Sequence, residues 1–118
     1  MRRLALLLAV TCAFLLVSCG QPLPRERSEY AGEWQGPLTW MVISPSGHIE
    51  YERRRDGGKV TINAPIQRFE GDNFVVGVGP FTTTFVVSKP PHFAEGRWRM
   101  VVDGVELTRV ATFGETRT

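Results

Sequence analysis

The sequence predicts an all-β domain: a small up-and-down antiparallel barrel, or a coiled meander, of about seven short strands. Three observations carry this prediction. From Tyr30 onward no helical period is sustained over as many as ten residues. Turn-forming groups, Pro45-Ser46-Gly47, Asp56-Gly57-Gly58 and Asp103-Gly104, recur at strand-length intervals. The segments between them are rich in β-branched and aromatic residues, which suit a pleated, half-buried surface. A two-sheet sandwich is the alternative, because alternation says which face is dry but not which strands are neighbours.

The chain opens with a different kind of segment. Arg2 and Arg3 precede an uncharged run from Leu4 to Gly20, which ends in small residues before Cys19. A basic start, an apolar middle and a small-residue end describe a secretory signal rather than folded structure. A membrane-spanning helix needs roughly 20 apolar residues; here the run is shorter, and Gln21-Pro22-Leu23-Pro24 stops it. Leu16-Val17-Ser18-Cys19 resembles the lipobox of bacterial lipoproteins. The resemblance implies a signal helix cleaved before Cys19, a diacylated Cys19 thiol, and a mature protein held to the membrane. Gly20, where an aspartate would mark inner-membrane retention, implies delivery to an outer membrane, facing the periplasm, in a two-membrane organism. Each buried methylene of an acyl chain contributes about 0.8 kcal/mol, so two or three chains make a lasting anchor.

This organisation divides the chain into residues 1–18 as signal, 19–29 as lipidated N-terminus and tether, 30–113 as the β domain and 114–118 as a polar tail. Of the 14 basic residues, Arg2 and Arg3 leave with the signal, so 12 basic side chains face 12 acidic ones in the mature part. A neutral domain gives no footing for nucleic acid, which demands a basic surface. The only cysteines are Cys12 and Cys19. With one in the signal and the other lipidated, the domain is expected to have no disulfide, cysteine metal site or cysteine nucleophile. Gln21 to Glu29 holds two prolines and four charges, the composition of an extended tether.

Within the domain, Trp34 to Ser44 reads as the first strand, interrupted early by Gly36-Pro37. His48 to Arg54 is the second, with Ile49 and Tyr51 on a dry face and Glu50 and Glu52 on a wet one. Lys59 to Asn63 follows, with Val60 and Ile62 inward. Pro65 to Asp72 reads as a connection, Asn73 to Gly77 and Thr82 to Ser88 as strands, and Pro90-Pro91-His92-Phe93 as a stiff loop exposing an aromatic. The last hairpin carries the strongest local signal. Asp103-Gly104 between Arg97–Val102 and Val105–Val110 is a two-residue loop of the primed-turn type. Its register sets Val102 against Val105, Met100 against Leu107 and Trp98 against Arg109.

Gly32-Glu33-Trp34 is similar to the Gly-x-Trp signature of lipocalins, in which an arginine late in the barrel packs across the tryptophan. The resemblance implies a structural closure built from Trp34 and Arg109. It also implies a carrier or sensor of a small apolar ligand as one functional reading. Against a cavity stand Trp34, Trp40, Trp98, Tyr51, Phe74, Phe85 and Met100, expected inward in a barrel of only about seven strands and about half the usual length.

Few residues point to other chemistry. His48 and His92 have no third ligand spaced near them, so no metal is expected. Arg53-Arg54-Arg55 is a basic run beside a hairpin turn that could meet anionic headgroups or polysaccharide. Phe93 is the candidate partner contact on the Pro90–Phe93 loop. No nucleophile elbow, phosphate loop or zinc motif is present, and no cofactor is implied. The reading that follows is a non-enzymatic binding or structural module of the cell envelope, contacting an envelope protein or cell-wall component. The apolar-ligand carrier and a glycan-acting enzyme are the alternatives.

Overall fold

In a computed structural model that describes residues 21–113, these residues form a single antiparallel sheet of nine strands, curled into a half-barrel. The strands are β1 (Gly32–Gly36), β2 (Thr39–Ile43), β3 (His48–Arg55), β4 (Gly58–Glu70), β5 (Asn73–Val78), β6 (Phe81–Phe85), β7 (Val87–Ala94), β8 (Arg97–Val102) and β9 (Val105–Ala111). Their order is β6-β5-β4-β3-β2-β1-β9-β8-β7, so the first and last strands pair in the middle. The edge strands β6 and β7 are consecutive in sequence and joined by Val86 alone. The expected signal helix, the acylated Cys19 and the 114–118 tail lie outside the described residues.

Nine strands replace the expected seven for two reasons. Trp34 to Ser44 is not one strand but the β1–β2 hairpin. Pro37 fixes the first turn position and Leu38 takes a left-handed φ of 54° at the second, the combination of a type II turn. The turn inverts parity: Trp34 pairs with Met41, and Trp40 with Gln35. Trp40 is therefore on the face opposite Trp34, half-buried, and its Nε1 donates to Glu33 Oε2 at 2.9 Å. The second reason is β7. Pro90 to Phe93 belongs to this edge strand, not to a loop, and its bulges absorb both prolines. An edge strand tolerates a missing N–H on its open side.

The expected connection Pro65–Asp72 is likewise mostly strand. β4 runs 13 residues and changes partner part-way. Residues 58–65 pair with β3, and residues 66–70 pair with β5 after a bulge between Ile66 and Arg68. Pro65 sits where β4 has β3 on one side and nothing yet on the other, so its absent donor costs no ladder bond. The bend turns β5 and β6 across the dry face. Val60, expected inward, is exposed because it lies near the end of β4 that projects past the core.

The interior is filled by Trp34, Met41, Ile43, Ile49, Phe74, Phe85, Met100 and Leu107, each with no more than 1% of its surface exposed. Phe85 stacks on Phe74 at 5.1 Å and meets Tyr51 edge-on at 4.9 Å. Ile49 and Tyr51 are buried while Glu50 is exposed, as the alternation requires. In the last hairpin Met100 pairs with Leu107 and Val102 with Val105, across Asp103 and Gly104 with φ of 49° and 79°. Positive φ at both positions matches the primed turn that the dipeptide favours.

The curl is secured where the edges meet. Asp103 N–H donates to Val86 O at 2.7 Å, and its carboxylate accepts from Val86 N–H at 2.9 Å. Asn73 Oδ1 accepts from Val87 N–H at 2.8 Å. The segment expected as an extended tether is also partly built in. Arg25–Tyr30 forms a 3-10 helix, Leu23 packs on the core, and Leu23 N–H donates to Pro45 O at 2.9 Å.

Candidate functional site

The up-and-down order gives the sheet two ends with different chemistry. At one end lie the turns at Pro37-Leu38, Asp56-Gly57 and Asp103-Gly104; at the other lie Ser44–Gly47, Glu95-Gly96, the start of β1 and the end of β9. The sequence-derived candidates divide between these ends. Phe93, Trp34 and Arg109 stand at the second end, and Arg53, Arg54 and Arg55 at the first. The fold therefore does not bring Phe93 and the arginine run into one site.

The second end is built around Arg109. The regular register of β1 with β9 makes Trp34 and Arg109 direct partners, so their side chains share a face, and a bulge follows between Trp34 and Glu33. The guanidinium carbon lies 5.6 Å from the Trp34 ring centroid and 4.9 Å from that of Trp98. Its Nη1 reaches the carbonyls of Glu29 and Ala31, each at 3.4 Å. Trp34 is fully buried, and its Nε1 donates to Tyr30 O at 3.0 Å. Gly32 completes the unit: a Cβ there would fall 2.5 Å from Arg109 Cδ, at a φ of +145° that side chains rarely adopt. Phe93 extends the row by meeting Trp98 edge-on at 5.9 Å, and 63% of it is exposed. An open cleft of about 370 Å³ runs beneath Phe93, Trp98 and Arg109. A second, of about 320 Å³, adjoins it through Arg109 and Thr112 and is lined by Leu23, Pro45 and Phe113.

Sequence reasoning missed the neighbouring cluster around Tyr30, since Arg25 to Glu29 carries no strand or helix signal. Tyr30 is buried edge-on against Phe69 and Phe74, and its hydroxyl donates to Asp72 O at 2.9 Å. Arg27 binds Gly71 O at 2.7 Å and Asp72 Oδ1 at 3.3 Å, and lies 4.9 Å from the Phe69 centroid. Burial pushes the Tyr30 phenol above its usual range; the Asp72 carboxylate adds to this, and the Arg27 guanidinium works against it.

At the first end the β3–β4 hairpin projects past β2, whose last pair with β3 is Thr39 and Arg53. Arg54, Arg55 and Lys59 are exposed at its tip and line an open cleft of about 490 Å³. Glu52 lies 3.4 Å from Arg54 and 3.8 Å from Lys59, which offsets part of the positive charge.

The histidines are far apart in the sheet. His48 on β3 hydrogen-bonds Asn63, and His92 Nδ1 contacts Pro90 O at 2.8 Å. Among the described residues no three of His, Cys, Asp and Glu converge to hold a metal ion. Glu70 pairs with Arg68 at 2.8 Å, while Arg99 lies between Glu106 at 3.1 Å and Glu95 at 3.6 Å. These carboxylates serve exposed ion pairs. Among the described residues no helix is long and apolar enough to cross a membrane. Comparison with protein-family models, with curated proteins and with solved structures gives no match for this chain.

Proposed function

We propose that this chain is a lipoprotein of the bacterial cell envelope, anchored through acylated Cys19, whose β domain is a non-enzymatic binding or structural module. The observation that carries the reading is the run Leu16-Val17-Ser18-Cys19 behind a basic, then apolar, leader. Gly20 favours placement in an outer membrane, with the domain facing the periplasm. The filled interior supports a module that works through its surface, and the exposed Phe93 and the Arg54, Arg55 and Lys59 tip are the surfaces it offers to an envelope protein or cell-wall component. The test is processing. Cys19→Ala is expected to leave an uncleaved precursor that incorporates no labelled fatty acid. Normal cleavage to a soluble form would overturn the reading.

One observation favours a second reading, a carrier of a small apolar ligand. Arg109 lies across Trp34 in the manner that the lipocalin resemblance implies. Crosslinking in the native envelope separates the two: a captured protein or glycan supports the module, and a co-purified lipid with no captured partner supports the carrier.

A further inference from the structure

The described chain begins at Gln21, and its first residues are fixed to the sheet. Leu23 is bonded to Pro45, and the Gln21 carbonyl lies so close to Gly47 that a Cβ on Gly47 would collide with it. Cys19 is two residues earlier, and a chain spans at most about 3.6 Å per residue, so Cys19 lies within about 7 Å of Gln21. A lipid on Cys19 would leave no slack for the domain to stand away from the bilayer. It would hold the Ser44–Gly47 end of the sheet against it.

That end carries the surface a bilayer interface accepts. Phe93, Val110 and Phe113 are 63%, 47% and 45% exposed around the two adjoining clefts, with Trp98 half-buried between them. Gln67 lines the cleft beside Gln21 and binds Gly79 O at 3.0 Å, which joins the β5–β6 tip and its exposed Phe81 to the same neighbourhood. Arg25 and Arg97 are exposed at this end beside the exposed Glu26, Glu29 and Glu95, so the rings and not a net positive charge carry the attraction. Aromatic rings are what membrane–water interfaces select. The exposed apolar residues at the opposite end, Leu38, Val60 and Val86, are aliphatic, and the neighbouring tip is strongly charged.

We propose that the domain docks on the phospholipid bilayer through this end, with Phe93 and Phe113 seated among the headgroups and the Arg53–Arg55 tip directed away from the membrane. The inference rests on Cys19 acylation and goes beyond it by fixing the orientation and the surface; it assigns Phe93 to the bilayer in place of a partner and leaves the Arg54, Arg55 and Lys59 tip as the surface for a partner. β1 alone is five residues, about 17 Å at 3.3 Å per residue, longer than the roughly 5–10 Å to which an interfacial element sinks.

The experiment uses two matched positions. Val110 and Val60 are both strand valines of nearly equal exposure, 47% and 45%, at opposite ends. The full chain with Val110→Cys or Val60→Cys is expressed, processed and reconstituted into phosphatidylethanolamine–phosphatidylglycerol vesicles carrying brominated acyl chains. The added thiol is labelled with an environment-sensitive fluorophore, and the mass of the mature protein is recorded. Docking predicts a blue-shifted, bromine-quenched label at 110 and a water-like, unquenched label at 60. Adding Phe93→Asp should return the label at 110 toward its aqueous signal. An acylated protein with equal signals at both positions would overturn the docking alone. A mass without acyl chains would overturn the anchor reading, and the docking with it.

Discussion

Gly32→Ala tests whether Gly32, Trp34 and Arg109 act as one unit. The new Cβ meets two obstacles, Arg109 Cδ at 2.5 Å and Ala111 O at 3.0 Å, and a φ of +145°. Holding a side chain in so sparsely populated a backbone region costs about 1–3 kcal/mol. Displacing Arg109 weakens its contacts with Trp34 and Trp98, each worth about 0.5–1 kcal/mol at a partly exposed site. The expected loss is about 2–4 kcal/mol, a large share of the stability of a small domain. Urea unfolding of the mature protein, followed by tryptophan fluorescence and far-ultraviolet circular dichroism, measures it. The decisive comparison is Arg109→Ala alone and combined with Gly32→Ala. With the arginine gone, only the backbone strain and the Ala111 contact remain, so the double variant should be less destabilised than the sum by about 1 kcal/mol. Full additivity, or a Gly32→Ala loss below about 0.5 kcal/mol, would refute the coupling.

Two further predictions concern the corner and the buried phenol. Asn73→Ala removes the acceptor for the Val87 N–H and should cost about 1 kcal/mol in urea unfolding; Asp103→Ala loses the Val86 bond and strains a φ of 49°, and should cost about 1–2 kcal/mol more than Asp103→Gly loses through the bond alone. Tyr30 has a raised pKa, so its contribution is intact below the unfolded value of about 10 and is lost as pH rises through the folded value. Stability should therefore fall above about pH 10, and Tyr30→Phe should lower stability at neutral pH while flattening that alkaline decline.

What was legible in the sequence was what local chemistry decides. Asp103-Gly104 specifies a turn that needs positive φ twice, and the register of Met100 on Leu107 follows from it. Ile49 and Tyr51 alternate with glutamates, and a two-residue period has only one dry side. What was not legible depends on distant partners. Leu38 has no intrinsic preference for a left-handed φ, so the turn that reverses the facing of Trp40 left no mark beyond Pro37. Pro65, Pro90 and Pro91 read as breaks because a proline's missing donor matters only if a neighbour strand asks for it. Here the neighbours are absent or the ladder is bulged. Tyr30 and Arg27 were hidden for the same reason: the Gly71 and Asp72 atoms they bind lie more than 40 residues away.

The way the sheet curls bears on where function can reside. Its edges, β6 and β7, are brought together by chain connectivity and by the Asp103 and Asn73 bonds, without pairing to each other. Closure of this kind needs no tilt and stagger matched around a full ring, so the bend in β4 can bring Phe85 onto Tyr51, with Phe74 stacked on Phe85, and fill the interior with side chains. On the proposed reading of a surface-binding module, specific contact falls to the rims. One rim is constrained by the first described residues, with Gln21 and Leu23 fixed against Pro45 and Gly47 and the open clefts beside them. The other bears a hairpin that outruns its neighbour β2 and ends in Arg54, Arg55 and Lys59. An anchor at the Pro45–Gly47 rim would hold that hairpin at the far side of the domain. In that orientation the basic tip meets whatever approaches from the aqueous side, and phospholipid of the anchoring membrane is out of its reach.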